Sequence, residues 1–354
     1  LTANKNYKEL IKQVKNFNVR NVIINNQDSY KKFIKINKNK NLNIYQDFNS
    51  FNKIFKKKID YTMSSIVGIE GLYPTINIIK FTKVIAIANK ESIICAWNLL
   101  TKELKKNKTK FIPVDSEHFS IWYALEGNTN SNIDKIYLTA SGGSLLNIPK
   151  KKFNKLNFKT ILKHPNWKMG KKITIDSSTM MNKVFEIIEA KKIFNLEYKQ
   201  LGIITHPKSY IHAIVKFSDG MIKIIAHDTT MKIPIFNSIY FGQSKKIKSE
   251  KVNFIKLNNL NLKSLDKRKF SSVKILNTLP KNNSLFETVL VAANDELVNL
   301  YLNKKINYSD ITNKIIKILS INEFKKLKKI LPTKVSDVIN TSEIVRKKIE
   351  LLNN

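Results

Sequence analysis

The residues best suited to chemistry in this sequence are acidic and fall in two short segments. Asp115 and Glu117 are two positions apart, and an extended segment would place both carboxylates on one side. Glu186 follows Asn182 and Lys183 by four and three positions, so a helix would present all three on one face. Three carboxylates suit a hard divalent cation, which prefers oxygen ligands. The alternative is that Asp115 and Glu117 belong to an ordinary solvated strand.

A second set of residues is suited to binding an anion such as phosphate. Ser177 lies in the run Asp-Ser-Ser at 176–178, which is expected to cap a helix over 179–194 and to lie beside its free backbone N–H groups. Asn182 and Lys183 would add two side-chain donors. Ser141 precedes two glycines, which let the backbone approach a ligand closely. Plain helix capping at 176–178 and a simple turn at 141–143 are the alternatives.

Residues 164–170, called the flap below, have the composition of a lid. The segment is polar at His164, carries Trp167 and Met169 in its second half, and ends at Gly170, which would permit a hinge. A tryptophan and a methionine on a lid would cover an apolar ligand edge and exclude water. The alternative is that Trp167 is a packing anchor.

Three further candidates are interpreted as structural. His206 and His212 are six positions apart, which matches no common zinc spacing. Cys95 is the single cysteine and stands in an apolar context, so it is expected in the core. A lone cysteine also excludes an internal disulfide and favours a reducing compartment.

The pattern of elements around these residues indicates an α/β protein. Short β-branched runs at 21–25, 64–67 and 84–88 alternate with lysine-rich helical patterns, which is typical of βαβ units with a parallel sheet. Residues 111–114 and 135–139 are expected to be strands that end in polar loops. The segment 243–275 is rich in lysine and asparagine and is predicted to be a linker, and the pattern from 276 to 354 is helical.

Composition limits the possible functions. The 354 residues carry a net charge of +36, and all but three of the 63 basic residues are lysine. So basic a chain raises nucleic acid as a partner, but base and phosphate recognition relies on arginine. We therefore interpret most of the lysine as solvated surface and expect no nucleic-acid partner, with a nucleic-acid-binding protein as the alternative. No run approaches the ~20 apolar residues that span a bilayer, so no membrane role is expected.

Five motifs, taken together, resemble one known family. They are Ala-Asn-Lys-Glu-Ser at 88–92, Pro-Val-Asp-Ser-Glu-His at 113–118, Ser-Gly-Gly at 141–143, Lys-His-Pro-Asn-Trp-Lys-Met-Gly at 163–170 and Asp-Ser-Ser-Thr-Met-Met-Asn-Lys at 176–183. Their order and spacing are similar to those of 1-deoxy-D-xylulose 5-phosphate reductoisomerases. The resemblance extends from Ala3 to the C-terminus and is strongest over 64–240.

The resemblance implies a fold, a reaction and cofactors. The fold would be a truncated Rossmann-type NADPH-binding domain over 1–115, an α/β catalytic domain with the flap over 116–242, the linker 243–275 and a C-terminal helical bundle over 276–354. The reaction would be the NADPH- and Mg²⁺- or Mn²⁺-dependent rearrangement and reduction of 1-deoxy-D-xylulose 5-phosphate to 2-C-methyl-D-erythritol 4-phosphate, in non-mevalonate isoprenoid synthesis. The resemblance also implies a homodimer. Its location would be the cytoplasm of a bacterial-type cell or a plastid-like organelle.

The resemblance also implies roles for individual residues. The metal ligands would be Asp115, Glu117 and Glu186, with Lys90 and His164 completing the catalytic set. The substrate contacts would be Lys90, Ser116, Glu117, Ser141, His164, Ser177, Asn182, Lys183 and Glu186. The NADPH contacts would be Lys5, Asn6, Asn89, Glu91 and Gly170.

Some positions depart from the family pattern. The family begins with a strand, a Gly-rich phosphate-binding turn and a helix, and these are absent before Leu1, so this chain by itself is expected to bind NADPH poorly. We expect a truncated chain, with a decayed, inactive homologue as the alternative. Asn4, Ser144 and Val184 replace the usual glycine, proline and glycine, and Thr229-Thr230 replaces a more acidic or proline-containing stretch. Val184 matters most, because its bulk would crowd the helix against the substrate.

Overall fold

The computed structural model of the protein describes residues 1–126 and 133–353. The chain opens with a parallel sheet of three strands in the order β1-β2-β3, whose strands alternate with amphipathic helices. Its elements are β1 (Thr2–Ala3), α1 (Tyr7–Phe17), β2 (Asn21–Ile24), α2 (Gln27–Ile36) and β3 (Asn43–Tyr45). Leu10, Val14 and Phe33 bury one face of each helix against β2, which is the helical periodicity expected of a βαβ unit.

A second parallel sheet follows, in the order β4-β5-β6. Its elements are α3 (Phe51–Ile54), β4 (Ile59–Ser64), α4 (Leu72–Ile78), β5 (Thr82–Ile87), α5 (Lys90–Lys106) and β6 (Lys110–Pro113). The strand expected at 64–67 was therefore placed too late. Val67 is 73% exposed and precedes Gly68, whose φ of +83° ends extended structure, so this apolar run forms a loop.

The central part of the chain builds a mixed five-stranded sheet in the order β10-β9-β7-β8-β11, in which β7 and β8 are parallel and the other pairs antiparallel. Its elements are α6 (Ser116–Ala124), β7 (Ile133–Ala140), α7 (Phe158–Ile161), α8 (Lys171–Ser178), α9 (Met181–Ile193), β8 (Leu201–Thr205), β9 (Ile211–Phe217), β10 (Ile222–Ala226), α10 (Lys232–Ile239), α11 (Phe254–Asn258) and β11 (Lys263–Ser264). One face of the sheet packs against α6 and α9.

The segment predicted as a linker, 243–275, holds more structure than a linker requires. It includes α11, and β11 pairs with β8, so the chain adds an edge strand to the sheet. Phe270, Val273 and Ile275 are buried in the largest hydrophobic cluster. The second half of this segment is therefore part of the folded core.

The chain ends in four helices, as the sequence predicts. They are α12 (Leu285–Leu302), α13 (Tyr308–Ser320), α14 (Asn322–Lys326) and α15 (Val335–Leu351). Helix α12 is buried along most of its length and shares one hydrophobic cluster with α5, α8, α9, α13 and α15. The helical bundle thus supports the central helices directly. Among the described helices, none is long and apolar enough to cross a lipid bilayer.

Candidate active site

The site begins at the carboxyl ends of β5 and β6. These strands are parallel neighbours, and Ile87 pairs with Pro113, so the loops that follow them start side by side. Asn89 caps α5 and places Lys90 in its first turn, while Asp115 caps α6 through its side chain. As a result Lys90 Nζ lies 3.2 Å from Asp115 Oδ2. Such an edge is where ligands bind in open parallel sheets.

Asp115 and Glu117 converge for a reason that differs from the one predicted. The segment is a helix start rather than an extended strand, and Asp115 Oδ1 accepts a hydrogen bond from Glu117 N at 3.3 Å. An N-cap residue and the second residue of a helix lie on the same turn, so the two side chains still point to one site. The Ser116 hydroxyl donates to Glu117.

Helix α9 supplies the third carboxylate, and its side chains share one face as the spacing predicted. Asn182 and Lys183 both donate hydrogen bonds to Glu186 within the helix. Lys183 Nζ also donates to Glu117 Oε1 at 2.7 Å, and Lys90 Nζ donates to Asn182 Oδ1 at 2.7 Å. Two lysines therefore tie the loops after β5 and β6 to α9.

Burial and charge oppose one another in this cluster. Burial would lower the pKa of Lys90, but Asp115, Glu189 and Glu186 outweigh it and raise that pKa. Burial would raise the pKa of Asp115, but Lys90 holds it well below its usual value. Burial, and then the charge of Glu117, raises the pKa of Glu186 to about 8. Negative charge is therefore crowded around Glu186.

The three carboxylates fit a divalent cation. Asp115, Glu117 and Glu186 each offer an oxygen, and the three oxygens lie within 4.8 Å of one another. The donors are oxygen only, which suits Mg²⁺ or Mn²⁺ better than a thiophilic metal. A cation at this position would also offset the crowding of charge around Glu186. We call Asp115, Glu117 and Glu186 the carboxylate trio.

The residues predicted to bind phosphate lie beside the trio. Gly142 and Gly143 have φ of +84° and +60°, and a Cβ on Gly143 would lie 2.9 Å from the backbone of Ser178, so only glycine lets this turn approach α8 so closely. Ser141, Ser177, Asn182 and Lys183 all line one cavity. We call these four residues the anion pocket.

The prediction that residues 176–178 cap the helix after them is wrong. They form the last turn of α8, and the break before α9 is made by Met180, which is buried with φ of +64°. Left-handed backbone is uncommon outside glycine and is tolerated where packing holds it. The tight junction brings Ser177 at the end of α8 close to Asn182 and Lys183 at the start of α9.

The flap covers the same cavity. His164 Nε2 lies 3.0 Å from Ser141 Oγ, and His164 Nδ1 accepts hydrogen bonds from the backbone N–H groups of Asn166 and Trp167 at 3.2 and 2.9 Å. Burial lowers the pKa of His164 to about 4, so its ring is neutral near pH 7. A neutral imidazole whose Nδ1 accepts must carry its hydrogen on Nε2, which therefore donates to Ser141.

One cavity of about 270 Å³ brings together every residue predicted to act in catalysis or to touch substrate. These residues are Lys90, Asp115, Ser116, Glu117, Ser141, His164, Ser177, Asn182, Lys183 and Glu186, with Trp167 and Met169 of the flap beside them. Separated stretches of sequence, from 90 to 186, therefore converge on a single site.

The five residues predicted to touch NADPH lie outside the lining of this cavity. Lys5 is exposed and Asn6 caps α1, where Asn6 Oδ1 accepts a hydrogen bond from Glu9 N. Asn89 is buried and its Nδ2 donates to Gly68 O at 2.8 Å. Gly170 is an exposed cap of α8 with open space around it. Glu91 is paired with Lys172 at 3.1 Å.

Lys172 is one of the residues that sequence reasoning missed. Its Nζ lies 3.1, 3.3 and 2.8 Å from carboxylate oxygens of Glu91, Asp176 and Asp295, which belong to α5, α8 and α12. Burial would lower the pKa of Lys172, but these three carboxylates raise it well above its usual value. Spacing could have found Asp176, which is four positions along the same helix, but not Glu91 or Asp295, which come from other helices.

Two more missed residues surround Asp115. His118 Nδ1 lies 3.5 Å from Asp115 Oδ1 and 4.0 Å from Glu189 Oε2, and His118 Nε2 donates to Glu186 O at 2.9 Å. Burial would lower the pKa of His118, but Glu189 and Asp115 raise it to about 9. Their spacing was a usable signal, since His118 is three positions after Asp115 and Glu189 is three after Glu186.

The residues interpreted as structural have mixed outcomes. His206 is buried, with both ring nitrogens bonded to backbone groups of Leu260 and Tyr210, and Cys95 is buried, as expected. His212, in contrast, lines the cavity and stacks on His227. Sequence spacing within 206–212 carried no sign of that contact, because His227 lies just after the next strand, β10.

The parallel α/β region and the oxygen-only carboxylate cluster at its edge place the protein among metal-dependent α/β enzymes. Residues 1–97 match the family described as 1-deoxy-D-xylulose 5-phosphate reductoisomerase, and residues 111–194 and 228–348 match its two C-terminal domain families. The chain belongs to the 1-deoxy-D-xylulose 5-phosphate reductoisomerase family, whose members are NADP-dependent oxidoreductases.

Curated relatives support this assignment over the whole chain. The chain is 58% identical over 355 residues to the reductoisomerase of Pelagibacter ubique (strain HTCC1062), with 100% of this chain and 92% of the relative covered. It is 36% identical to that of Clostridium perfringens (strain 13 / Type A), with 99% and 90% covered.

Solved structures agree with the fold. A reductoisomerase in complex with NADPH, fosmidomycin and magnesium is similar with a TM-score of 0.89 and 28% identity, covering 100% of this chain and 92% of that one. The enzyme from Zymomonas mobilis in complex with NADPH gives 0.87 and 27%, covering 100% and 91%.

Proposed function

We propose that the protein rearranges and reduces 1-deoxy-D-xylulose 5-phosphate to 2-C-methyl-D-erythritol 4-phosphate, using NADPH and Mg²⁺ or Mn²⁺. The observation that carries this proposal is the meeting of the carboxylate trio and the anion pocket in one cavity under the flap. A sugar phosphate has an anionic end and vicinal oxygens, and the two halves of the cavity are matched to these two features.

The anion pocket binds the phosphate. Lys183 supplies charge, Asn182 supplies an amide donor, and the Ser177 and Ser141 hydroxyls complete the set. Ser141 Oγ already accepts from His164 Nε2 and from Gly143 N at 3.1 Å. Its own hydrogen is therefore the group left for a phosphate oxygen, so His164 fixes Ser141 as a donor.

The carboxylate trio would hold the divalent cation. When bound, Mg²⁺ or Mn²⁺ supplies Lewis-acid polarisation of the ketone and its neighbouring oxygen. Lys90 and Ser116 orient the trio and the substrate, since Lys90 contacts both Asp115 and Asn182. Energy from phosphate binding then closes the flap, and Trp167 and Met169 exclude water from the reacting carbons.

The NADPH contacts are proposed at three helix starts, those of α1, α5 and α8. Lys5 and Asn6 lie where β1 leads into α1, an eleven-residue helix, and an exposed lysine there suits the 2′-phosphate. Asn89 and Glu91 flank Lys90 at the start of α5, and Gly170 caps α8, whose Lys172 pairs with Glu91. The proposal places the hydride-donating end of NADPH here. NADPH supplies that hydride to the rearranged carbon skeleton.

A catalytically inactive remnant is disfavoured by the position of Val184. Its side chain is fully buried in the cluster that α9 shares with α12, so its bulk fills the core instead of the cavity. Asn182 and Lys183 still face the site on the other side of the helix.

The test of this function is oxidation of NADPH, followed at 340 nm with the full-length protein, 1-deoxy-D-xylulose 5-phosphate and Mn²⁺. We expect turnover with NADPH, a lower rate with NADH, and loss of turnover when a chelator removes the ion. Absence of turnover under all metal conditions would contradict the proposal.

Glu186→Gln tests the trio directly. The change keeps the shape of the side chain but removes one charged ligand, so we expect kcat to fall about a hundredfold or more with the fold intact. Mn²⁺ binding, measured by calorimetry, should weaken as well. The matched control is Glu197→Gln, an exposed surface carboxylate paired with Lys199. Normal turnover and Mn²⁺ binding in Glu186→Gln would show that the ligand is assigned wrongly.

We propose a homodimer formed through the five-stranded sheet. One face of this sheet packs on α6 and α9, whereas the other carries Tyr137, Ile214, Ile222 and Ile224 outward. Ile222 and Ile224 are 54% and 50% exposed on the edge strand β10. An apolar face of this kind is typical of an interface between copies.

We propose that the enzyme acts in the cytoplasm of a bacterial-type cell, an assignment supported by the bacterial relatives. A plastid-like organelle remains the alternative prediction.

A further inference from the structure

Behind the flap, two histidines form a stacked pair. The rings of His212 and His227 are parallel within 8°, and their centroids are 3.7 Å apart. Trp167 of the flap approaches His212 edge-on, with ring centroids 6.1 Å apart and an angle of 77°. The Trp167–His212 distance lies in the range of edge-to-face aromatic pairs. The 3.7 Å separation of the two imidazoles corresponds to face-to-face van der Waals contact. His212 therefore contacts the flap tryptophan and the second histidine at once.

The hydrogen bonds of the pair fix which nitrogens carry hydrogen. His212 Nε2 lies 3.3 Å from His227 O, and His227 Nδ1 lies 2.8 Å from Asp228 O. A carbonyl only accepts, so both of these nitrogens donate. His227 Nε2 is buried and has no hydrogen-bond partner within the described part of the chain. The side chain of His227 thus contributes one hydrogen bond to Asp228 O and the face of its ring, while its backbone carbonyl accepts from His212.

The flap is hydrogen-bonded to the loop just before β9, the strand that carries His212. Asn166 Nδ2 donates to Pro207 O at 2.6 Å and to Ser209 Oγ at 2.8 Å. These acceptors lie just before β9, whose second residue is His212. His212 lines the substrate cavity, whereas His227 does not. The His212 ring therefore lies in the wall of the cavity, in contact with Trp167 of the flap on one side and with His227 on another.

We propose that His227 is a positioning residue: it holds His212 as the seat of the flap and thereby sets how closely Trp167 covers the phosphorylated substrate. This inference rests on the proposed function for the identity of the substrate. It adds a residue that lies outside the cavity and acts through His212.

Two substitutions separate the ring face from the backbone contact. His227→Phe keeps an aromatic face against His212 but cannot donate to Asp228 O. His227→Asn keeps a donor near that carbonyl but removes the face. If stacking positions the flap, Phe preserves the behaviour of the native protein and Asn does not. If His227 only shapes the turn at 227–230, His227→Asn preserves the native behaviour and His227→Phe does not.

Steady-state kinetics provide the first measurement. We expect His227→Asn to raise KM for 1-deoxy-D-xylulose 5-phosphate by about five- to tenfold, the size of one aromatic contact, while KM for NADPH stays unchanged. His227→Phe should stay within about twofold of the native protein. Equal effects of His227→Asn on both KM values would overturn the proposal, because a general structural defect does not select one substrate. An unchanged KM for the sugar phosphate in His227→Asn would overturn it as well.

Trp167 emission provides a second measurement that needs no turnover. The other two tryptophans, Trp97 and Trp122, pack against Phe111 and Phe241 away from the flap, so Trp97→Phe/Trp122→Phe leaves Trp167 as the only indole. In this background His227→Asn should shift emission to longer wavelength, and His227→Phe should not. Identical emission spectra of the two His227 variants would refute the proposal that His227 positions the flap. Absence of NADPH oxidation by the native protein would refute only the proposed function.

Discussion

The side chains of the site are held in place by hydrogen bonds to their neighbours. His164 is the clearest case, because its Nδ1 accepts two backbone hydrogen bonds and its Nε2 faces Ser141. Protonation would place a hydrogen on Nδ1 and break both backbone contacts. The geometry of the flap therefore requires a neutral ring, in agreement with the pKa of about 4 that burial produces.

This predicts how His164 titrates. The folded pKa of about 4 lies below the ordinary value of 6.5, so the unfolded chain takes up this proton at higher pH than the folded one. The contribution of His164 to stability is fully present above pH 6.5 and is lost as the pH falls from 6.5 through 4. An NMR titration of the imidazole signals should give a midpoint near 4.

His164→Gln identifies the signal, since four other histidines are present. The variant should also lack the share of His164 in the pH dependence of unfolding free energy between pH 6.5 and 4, to which the other buried histidines with lowered pKa still contribute. A His164 midpoint between 6 and 7 would contradict the assignment of Nδ1 as an acceptor.

Spacing within one helix was enough to predict part of the site. The common face of Asn182, Lys183 and Glu186 follows from the period of a helix alone, and α9 confirms it. The pairing of Asp115 with Glu117 was right in outcome, but the reason was a helix cap instead of a strand. The stack of His212 on His227 could not be predicted, because it depends on the register of β9 and β10, which shifts between Ile225 and Ala226.

At the scale of elements, α9 is the support of the site, and it is held from behind by a buried ion pair. Lys192 Nζ lies 3.2 Å from Glu287 Oε1 of α12 and donates to Ile94 O of α5 at 2.7 Å. Both charged side chains are 2% exposed. Helices α5, α9 and α12 therefore meet at one lysine.

Replacement of Lys192 should lower the free energy of unfolding. Lys192→Met leaves the charge of Glu287 buried without its cation, so we expect the free energy of unfolding to fall by about 3 to 5 kcal/mol. Urea unfolding followed by circular dichroism measures it. Lys191→Met is the matched control, because Lys191 is the adjacent lysine and donates to Lys281 O at an exposed position. Equal midpoints for the two variants would show that the ion pair does not hold α9.

Helix boundaries were predicted less well where backbone strain intervenes. The sequence 176–183 predicts a cap followed by a helix. Met180 instead adopts a left-handed backbone conformation and separates two helices there. Nothing in a methionine signals positive φ, which is stabilised here by burial. The linker over 243–275 was inferred from its polar composition, which did not reveal β11 or the buried Val273 and Ile275.

At the scale of the whole molecule, charge and apolar surface have different distributions. The net charge of +36 is spread over lysines that are mostly solvated, and we retain the expectation that it serves no nucleic-acid partner. The exposed face of the five-stranded sheet carries an apolar group, Tyr137, Ile214, Ile222 and Ile224, beside Lys135 and Lys216. Self-repulsion would oppose association at low ionic strength, so the oligomeric state should be measured near 0.15 M salt, where charges are screened beyond about 8 Å.

Ile224→Lys tests the proposed homodimer. A lysine among the apolar side chains of β10 would be buried without a partner in the dimer, so we expect the protein to become monomeric in sedimentation equilibrium. Ile344→Lys is the control, because Ile344 is 51% exposed on α15, close to the 50% of Ile224. A native monomer, or two variants that behave alike, would contradict the proposed face.

The placement of Asn182 and Glu186 on one helix has a consequence for the ligands that the enzyme accepts. Asn182 donates to Glu186, so one donor of the anion pocket and one carboxylate of the trio touch on a single rigid backbone. A ligand that fills both halves of the cavity must bring its anionic end and its oxygen-rich end close together. We therefore expect a sugar phosphate with one more carbon to reach both halves only by bending.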